Sequence, residues 1–217
     1  MTDLARAHLQ EQFDQPTQQK QAATLGMWQF LATEVLFFGV LFAAYTACRY
    51  RFADGFAEAA RHTHVVFGSI ETAVLLISSC GAALALRNVE LGGRRVAAAL
   101  LAGTAALGTV FLVLHGVEYA SEYREGLVPG LRFDHAGPHA RAVELFYCLY
   151  FLITGFHSLH VIIGVVLMTV MAVKAWRGRF GPGYATPLEN AALYWHFVDI
   201  VWIFVYPMIY LVGRASA

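Results

Sequence analysis

Five long apolar runs fix what this chain can become. They cover residues 25–48, 65–86, 96–118, 145–173 and 191–212. A helix needs about 20 mainly apolar residues to cross a hydrocarbon core of roughly 30 Å, and each run meets that length. Strands of a membrane barrel would be shorter and would alternate apolar with polar residues; these runs do neither. The expected fold is all-α, a polytopic transmembrane bundle of five helices. The fourth run is long enough to require a tilt or an extension past the bilayer. Composition agrees, since 58% of the 217 residues are hydrophobic and 14% charged, more apolar surface than a soluble domain of this size needs.

The segments between the runs are informative in places. Residues 1–24 are polar and glutamine-rich, without the basic start, short apolar core and cleavage site of a secretory signal. Residues 25–213 are expected to form one membrane domain and residues 214–217 a short tail. Residues 53–60 suggest a short surface helix. The connection 119–142 holds "LVPGLRFDHAGPHA", whose proline and glycines predict an ordered loop. Linkers 87–95 and 174–188 carry three Lys/Arg each in compact stretches; 49–64 and 119–142 carry three each over more residues. Basic residues favour the cytoplasmic side, which orients the N-terminus inside and the C-terminus outside. Fifteen basic and fifteen acidic residues balance, so the chain lacks the basic excess expected of a nucleic-acid partner. Cys48, Cys80 and Cys148 are scattered and form no CxxC, which argues against a disulfide framework or a cysteine metal site.

Chemistry resides in the ionisable residues of the spans. A charge at mid-membrane costs roughly 2.5–3.5 kcal/mol on insertion scales, so each such group must face protein, water or headgroups, or be neutral. The candidates are Glu34, Glu71, His115, Glu118, His157, His160, His196 and Asp199. Glu34, in "LATEVLFFGVLF", reads either as a helix–helix hydrogen bond or as a proton-related or lipid-facing carboxyl. His157 and His160, in "GFHSLHVIIG", sit one helical step apart and are expected to share a face, which Gly164 extends and opens to a neighbouring backbone. Both rings lie on one helix, so interhelical hydrogen bonding is favoured over haem or metal ligation. His196, Asp199, Ile203, Tyr206 and Tyr210 draw one stripe along the last run, with Trp195 and Trp202 on a neighbouring line. The histidine and aspartate are expected to bond each other or an adjacent helix. Pro207 removes a backbone hydrogen bond and predicts a mild kink.

Several of these segments resemble the cytochrome c oxidase subunit III family of haem–copper oxidases. They are "EVLFF" at 34–38, "LYFLITGFHSLHVIIG" at 149–164 and "YWHFVDIVWIFVYPMIYLVG" at 194–213. "ETAVLL" at 71–76 and "HGVEYASE" at 115–122 are weaker matches, all in family order. The resemblance implies an accessory subunit with no catalytic residues, metal or other cofactor of its own. Haem and copper then belong to partner subunits, above all the catalytic subunit I, which reduces oxygen and pumps protons. It also implies bound phospholipid, support of proton uptake, and residence in a bacterial cytoplasmic membrane. Glu34 matches the family's buried glutamate. His157, His160, His196, Asp199 and Glu118 match a polar seam. Lys174, Arg177 and Arg179 fall where the family places cations at lipid phosphates. The larger family form has seven helices, and this chain resembles the five-helix form that begins near the third. Glu71 departs from the pattern, standing where the family has asparagine.

The expected function is that of an accessory subunit of a proton-pumping terminal oxidase using cytochrome c. The alternatives are the equivalent component of a quinol oxidase or nitric oxide reductase, and a small transporter carrying protons on Glu34 and Asp199. A transporter would show broken helices or repeated halves, and Pro207 is the sole interruption visible in the sequence. A membrane cytochrome b would need histidines on opposite sides of a haem plane.

Overall fold

In the computed structural model, residues 9–181 and 183–211 are described; the tail 214–217 lies outside them. Helix α1 spans Pro16–Arg51, α2 Ala53–His62, α3 Val65–Glu90 and α4 Arg94–Arg124. A hairpin of β1, Leu127–Val128, and β2, Arg132–Phe133, precedes α5, Ala140–Trp176. Helix α6, Thr186–Tyr206, runs into a π-helical turn at Pro207–Leu211. Five of these elements are long and apolar enough to cross a membrane: α1, α3, α4, α5 and α6 with its π turn. At 1.5 Å per residue, the 36-residue α1 and 37-residue α5 reach about 55 Å. Both outrun a hydrocarbon core.

Local chemistry marks the element ends. Pro16 and Pro187 stand in the first turns of α1 and α6, where no backbone N–H is missed. Gly92 and Gly178, at φ +79° and +70°, turn the chain just beyond α3 and α5. Pro207 has no N–H to give the preceding turn. There the helix widens into the π turn, and the Tyr45 hydroxyl donates to the Met208 carbonyl at 3.0 Å. A kink was expected; a widened turn is found.

The helices pack as α3 against α4, α4 against α5, and α6 across α3 and α5, with α1 lying outside on α5 and α6. The seat of α6 is built from glycine. An added Cβ at Gly108 of α4 or Gly164 of α5 would lie 2.5 Å and 2.7 Å from Trp195. The two glycines therefore admit the indole between α4 and α5. Gly164 was expected to admit a backbone; it admits a side chain. Hydroxyls of α3 then stitch α6 in place. Trp195 Nε1 donates to Ser78 at 3.0 Å and Trp202 Nε1 to Thr72 at 3.1 Å, while the Tyr206 and Ser69 hydroxyls are 2.7 Å apart. In hydrocarbon such bonds have no water to compete with.

Candidate functional site

Helices α3, α4 and α5 enclose a set of polar side chains in the half of the bundle nearer the β hairpin. Glu71 is one and a half turns into α3. His115, Glu118 and Glu122 lie at steps of three and four on α4, so they share one face. All four are essentially fully buried, at 0 to 3% exposure. His115 Nδ1 lies 3.5 Å from Glu71 Oε1 and 3.6 Å from Glu118 Oε2. Those separations exceed a hydrogen bond of normal geometry. Neither oxygen of Glu71 and neither nitrogen of His115 has a hydrogen-bond partner among the described residues. The Tyr210 hydroxyl, delivered by the π turn, donates to Glu118 Oε2 at 2.8 Å.

Aromatic rings wall this group. The His115 ring stacks on Phe111 at 5.7 Å and lies 4.6 Å from Tyr119. His157 of α5 stacks on Trp202 at 5.0 Å, meets Phe111 edge-on, and has no hydrogen bond to either nitrogen among the described residues. It faces the same interior as His115.

His160 points elsewhere. A step of three residues turns a helix by about 300°, so the two histidines diverge. His160 Nε2 pairs with Glu34 Oε2 at 3.1 Å, its Nδ1 donates to the Phe156 carbonyl at 2.8 Å, and its own carbonyl accepts from Tyr194 at 3.0 Å. Glu34 is therefore tied by a helix–helix bond between α1 and α5. Its side chain is 19% exposed. His196 and Asp199 do not pair with each other. His196 Nδ1 lies 2.6 Å from Ser79 Oγ on α3. The buried Asp199 carboxyl faces the same hydroxyl without closing a bond of ordinary geometry. In the expected stripe, His196, Tyr206 and Tyr210 find polar partners, whereas Ile203 is 43% exposed and faces outward.

Two surface features complete the picture. An apolar groove of about 440 Å³ runs between α1 and α6, lined by residues including Trp28, Val35, Phe42, Ile200 and Phe204. At the end of α5, Lys174, Arg177 and Arg179 border a pocket of about 300 Å³ with Phe180 and Tyr184. Burial raises the Tyr184 phenol above its ordinary pKa, so it is a neutral hydroxyl beside these cations.

A family model described as "Cytochrome c oxidase subunit III" matches residues 5–214. The chain belongs to this family. Among curated relatives, subunit 3 of the cytochrome bo(3) ubiquinol oxidase of Pseudomonas aeruginosa is 31% identical over 87% of this chain and 84% of its own length. The cytochrome c oxidase subunit 3 of Corynebacterium diphtheriae is 30% identical over 87% of each. The "Heme-copper oxidase subunit I+III" of Aeropyrum pernix is 34% identical over 86% of this chain and 22% of its own length. The family thus includes subunits of cytochrome c oxidases and of quinol oxidases, and this subunit III is an integral membrane component of a haem–copper oxidase.

Sequence reasoning singled out Glu71, His115, Glu118 and His157 as ionisable residues within spans but did not bring them together. Glu122 was missed because α4 runs six residues past the expected span, to Arg124. The step of four from Glu118 was the available signal. The α3 hydroxyls were missed because serine and threonine also satisfy themselves on their own helix, as Ser69 does on Val65.

Proposed function

We propose that this subunit III stabilises the catalytic subunit of a proton-pumping terminal oxidase that takes electrons from cytochrome c, and that it binds phospholipid and supports proton uptake. The observation that carries the lipid part is the apolar groove between α1 and α6. Its lining offers hydrocarbon to hydrocarbon, which suits an acyl chain. Lys174, Arg177 and Arg179 lie on the same side of the bundle as the start of α1, where Lys20 bridges to Glu189 at 2.9 Å. Cations at that level suit anionic headgroups, and the distribution of basic residues supports a cytoplasmic position for this end. The N-terminus is then inside and the C-terminus outside, in a bacterial cytoplasmic membrane. Haem and copper belong to partner subunits in this proposal. The name of the Aeropyrum relative, which joins subunits I and III, supports subunit I as the neighbour.

The test is to purify the oxidase with and without this chain. Loss of the chain should leave the haem spectrum intact, reduce bound phospholipid, and slow proton uptake or shorten catalytic lifetime. Loss of a redox centre would defeat the proposal. Turnover with reduced cytochrome c against turnover with a quinol decides the donor.

A further inference from the structure

We propose that Glu71, His115 and Glu118 form a binding site for a divalent transition-metal ion, zinc by its ligand set, inside the helix bundle. This departs from the expectation that the chain holds no metal.

The spacing is the first argument. Each residue offers one ligand atom, and the three atoms lie within 4.8 Å of one another. Two of the separations are 3.5 and 3.6 Å. Nitrogen and oxygen ligands sit about 2.0–2.2 Å from zinc, so neighbouring ligands of a tetrahedral ion stand roughly 3.3–3.6 Å apart. The observed gaps are too wide for hydrogen bonds and match ligand-to-ligand edges.

Unmet polar demand is the second argument. The His115 nitrogens and the Glu71 oxygens have no hydrogen-bond partner among the described residues, and both side chains are at least 97% buried. Buried polar atoms in native proteins are almost always satisfied, and His115 Nδ1 is aimed between two carboxylates. A cation between them gives each of the three residues a partner for one ligand atom.

Charge is the third. Two carboxylates and a neutral imidazole around a divalent ion sum to zero, which removes the main cost of burying carboxylates away from water. Ion identity follows from the ligands. Imidazole with few carboxylate oxygens suits zinc-like ions, whereas calcium takes six to eight oxygens and magnesium keeps its waters. The supports are also in place. Tyr210 orients Glu118 by the 2.8 Å hydrogen bond, as outer groups orient metal-binding carboxylates. Phe111 and Tyr119 fix the plane of the His115 ring. Three protein ligands leave one tetrahedral position for a further small ligand. Glu71 is the deciding residue, because asparagine at that position would remove the second negative charge.

The experiment uses the assembled oxidase complex, equilibrated with zinc and then washed with a chelator. First-row metals are counted per haem by mass spectrometry in the wild type and in the Glu71→Gln and His115→Asn variants. The wild type should retain about one more zinc per complex than either variant, with equal haem content in all three. Equal metal content in wild type and variants overturns the proposal. A variant that fails to assemble is set aside in favour of X-ray absorption at the zinc edge of the wild-type complex. Nitrogen and oxygen ligands at about 2.0 Å with an imidazole signature support the site. Zinc that is absent, or solely water-ligated, overturns it.

Discussion

Glu34–His160 and Glu71–His115 set the same two functional groups against each other under opposite conditions. The first pair joins α1 to α5 at 3.1 Å, with side chains 19% and 13% exposed. The second lies between α3 and α4 at 3.5 Å, with exposures of 0% and 3%, walled by aromatic rings. The helices explain the difference. Helix α1 buries Leu31, Phe38 and Tyr45 alone, so its carboxyl stays near the lipid-facing surface and needs one bond. Helices α3 and α4 pack closely, with Gly81 against Thr104 and the Thr104 hydroxyl donating to the Ser78 carbonyl at 3.2 Å. Their carboxyls have no exit, and whatever neutralises them must be internal.

The largest effect should come from opening the wall of the inner group. Trp202 is fully buried and touches Phe111, His115, His157 and Tyr210. Trp202→Ala should cost about 3–5 kcal/mol, the usual range for removing a buried aromatic. It should show as subunit III lost from the complex during detergent purification. Phe42→Ala, on the groove, should leave subunit content unchanged. Equal loss from both variants would erase the distinction between a sealed interior and an open groove.

A smaller effect should follow from Tyr210→Phe, which removes the donor to Glu118 and leaves the ring. Stranding a buried carboxyl costs about 1–3 kcal/mol. Thermal unfolding of the complex should detect it as earlier release of this subunit. Tyr206→Phe, whose hydroxyl meets Ser69, should matter less, because Ser69 keeps its bond to the Val65 carbonyl. If the two variants unfold alike, the hydrogen bond to Glu118 contributes nothing special.

How much of this was legible in the sequence depended on the scale of the signal. The five spans were legible because apolar length alone dictates them, and each expected run lies within an observed helix, apart from position 212, outside the described residues. The short helix α2 was visible at 53–60. Apart from Glu122, the inner group was visible residue by residue but not as a group. Its members come from α3 and α4, and nothing in periodicity says which turn of one helix faces which turn of another. His157 and His160 show the same limit at closer range. Their spacing suggested one face, yet packing sends one ring to Trp202 and the other to Glu34. The π turn was legible as a disturbance at Pro207, but not as the device that brings Tyr210 to Glu118.

Reactivity offers a third test. A hydrophobic carbodiimide entering from the lipid should modify Glu34 in preference to Glu71, Glu118 and Glu122, because Glu34 alone among them has exposed surface. Peptide mapping of the labelled subunit reads the ratio. Preferential labelling of the α4 carboxyls would mean that the bundle opens to lipid on the labelling timescale, and that the inner group is not sealed.

The smallest effect belongs to the Glu34–His160 bond itself. Glu34→Gln keeps the shape and offers an amide N–H able to donate to His160 Nε2. His160 also retains its bond to the Phe156 carbonyl. A double-mutant cycle of Glu34→Gln with His160→Phe should therefore give a coupling of about 0.5–1 kcal/mol, near the low end for residues in contact. The cycle can be read from the melting of the complex. A coupling several times larger would show that the outer pair, like the inner one, is shielded from its surroundings, and that α1 is held far more firmly than its three buried side chains imply.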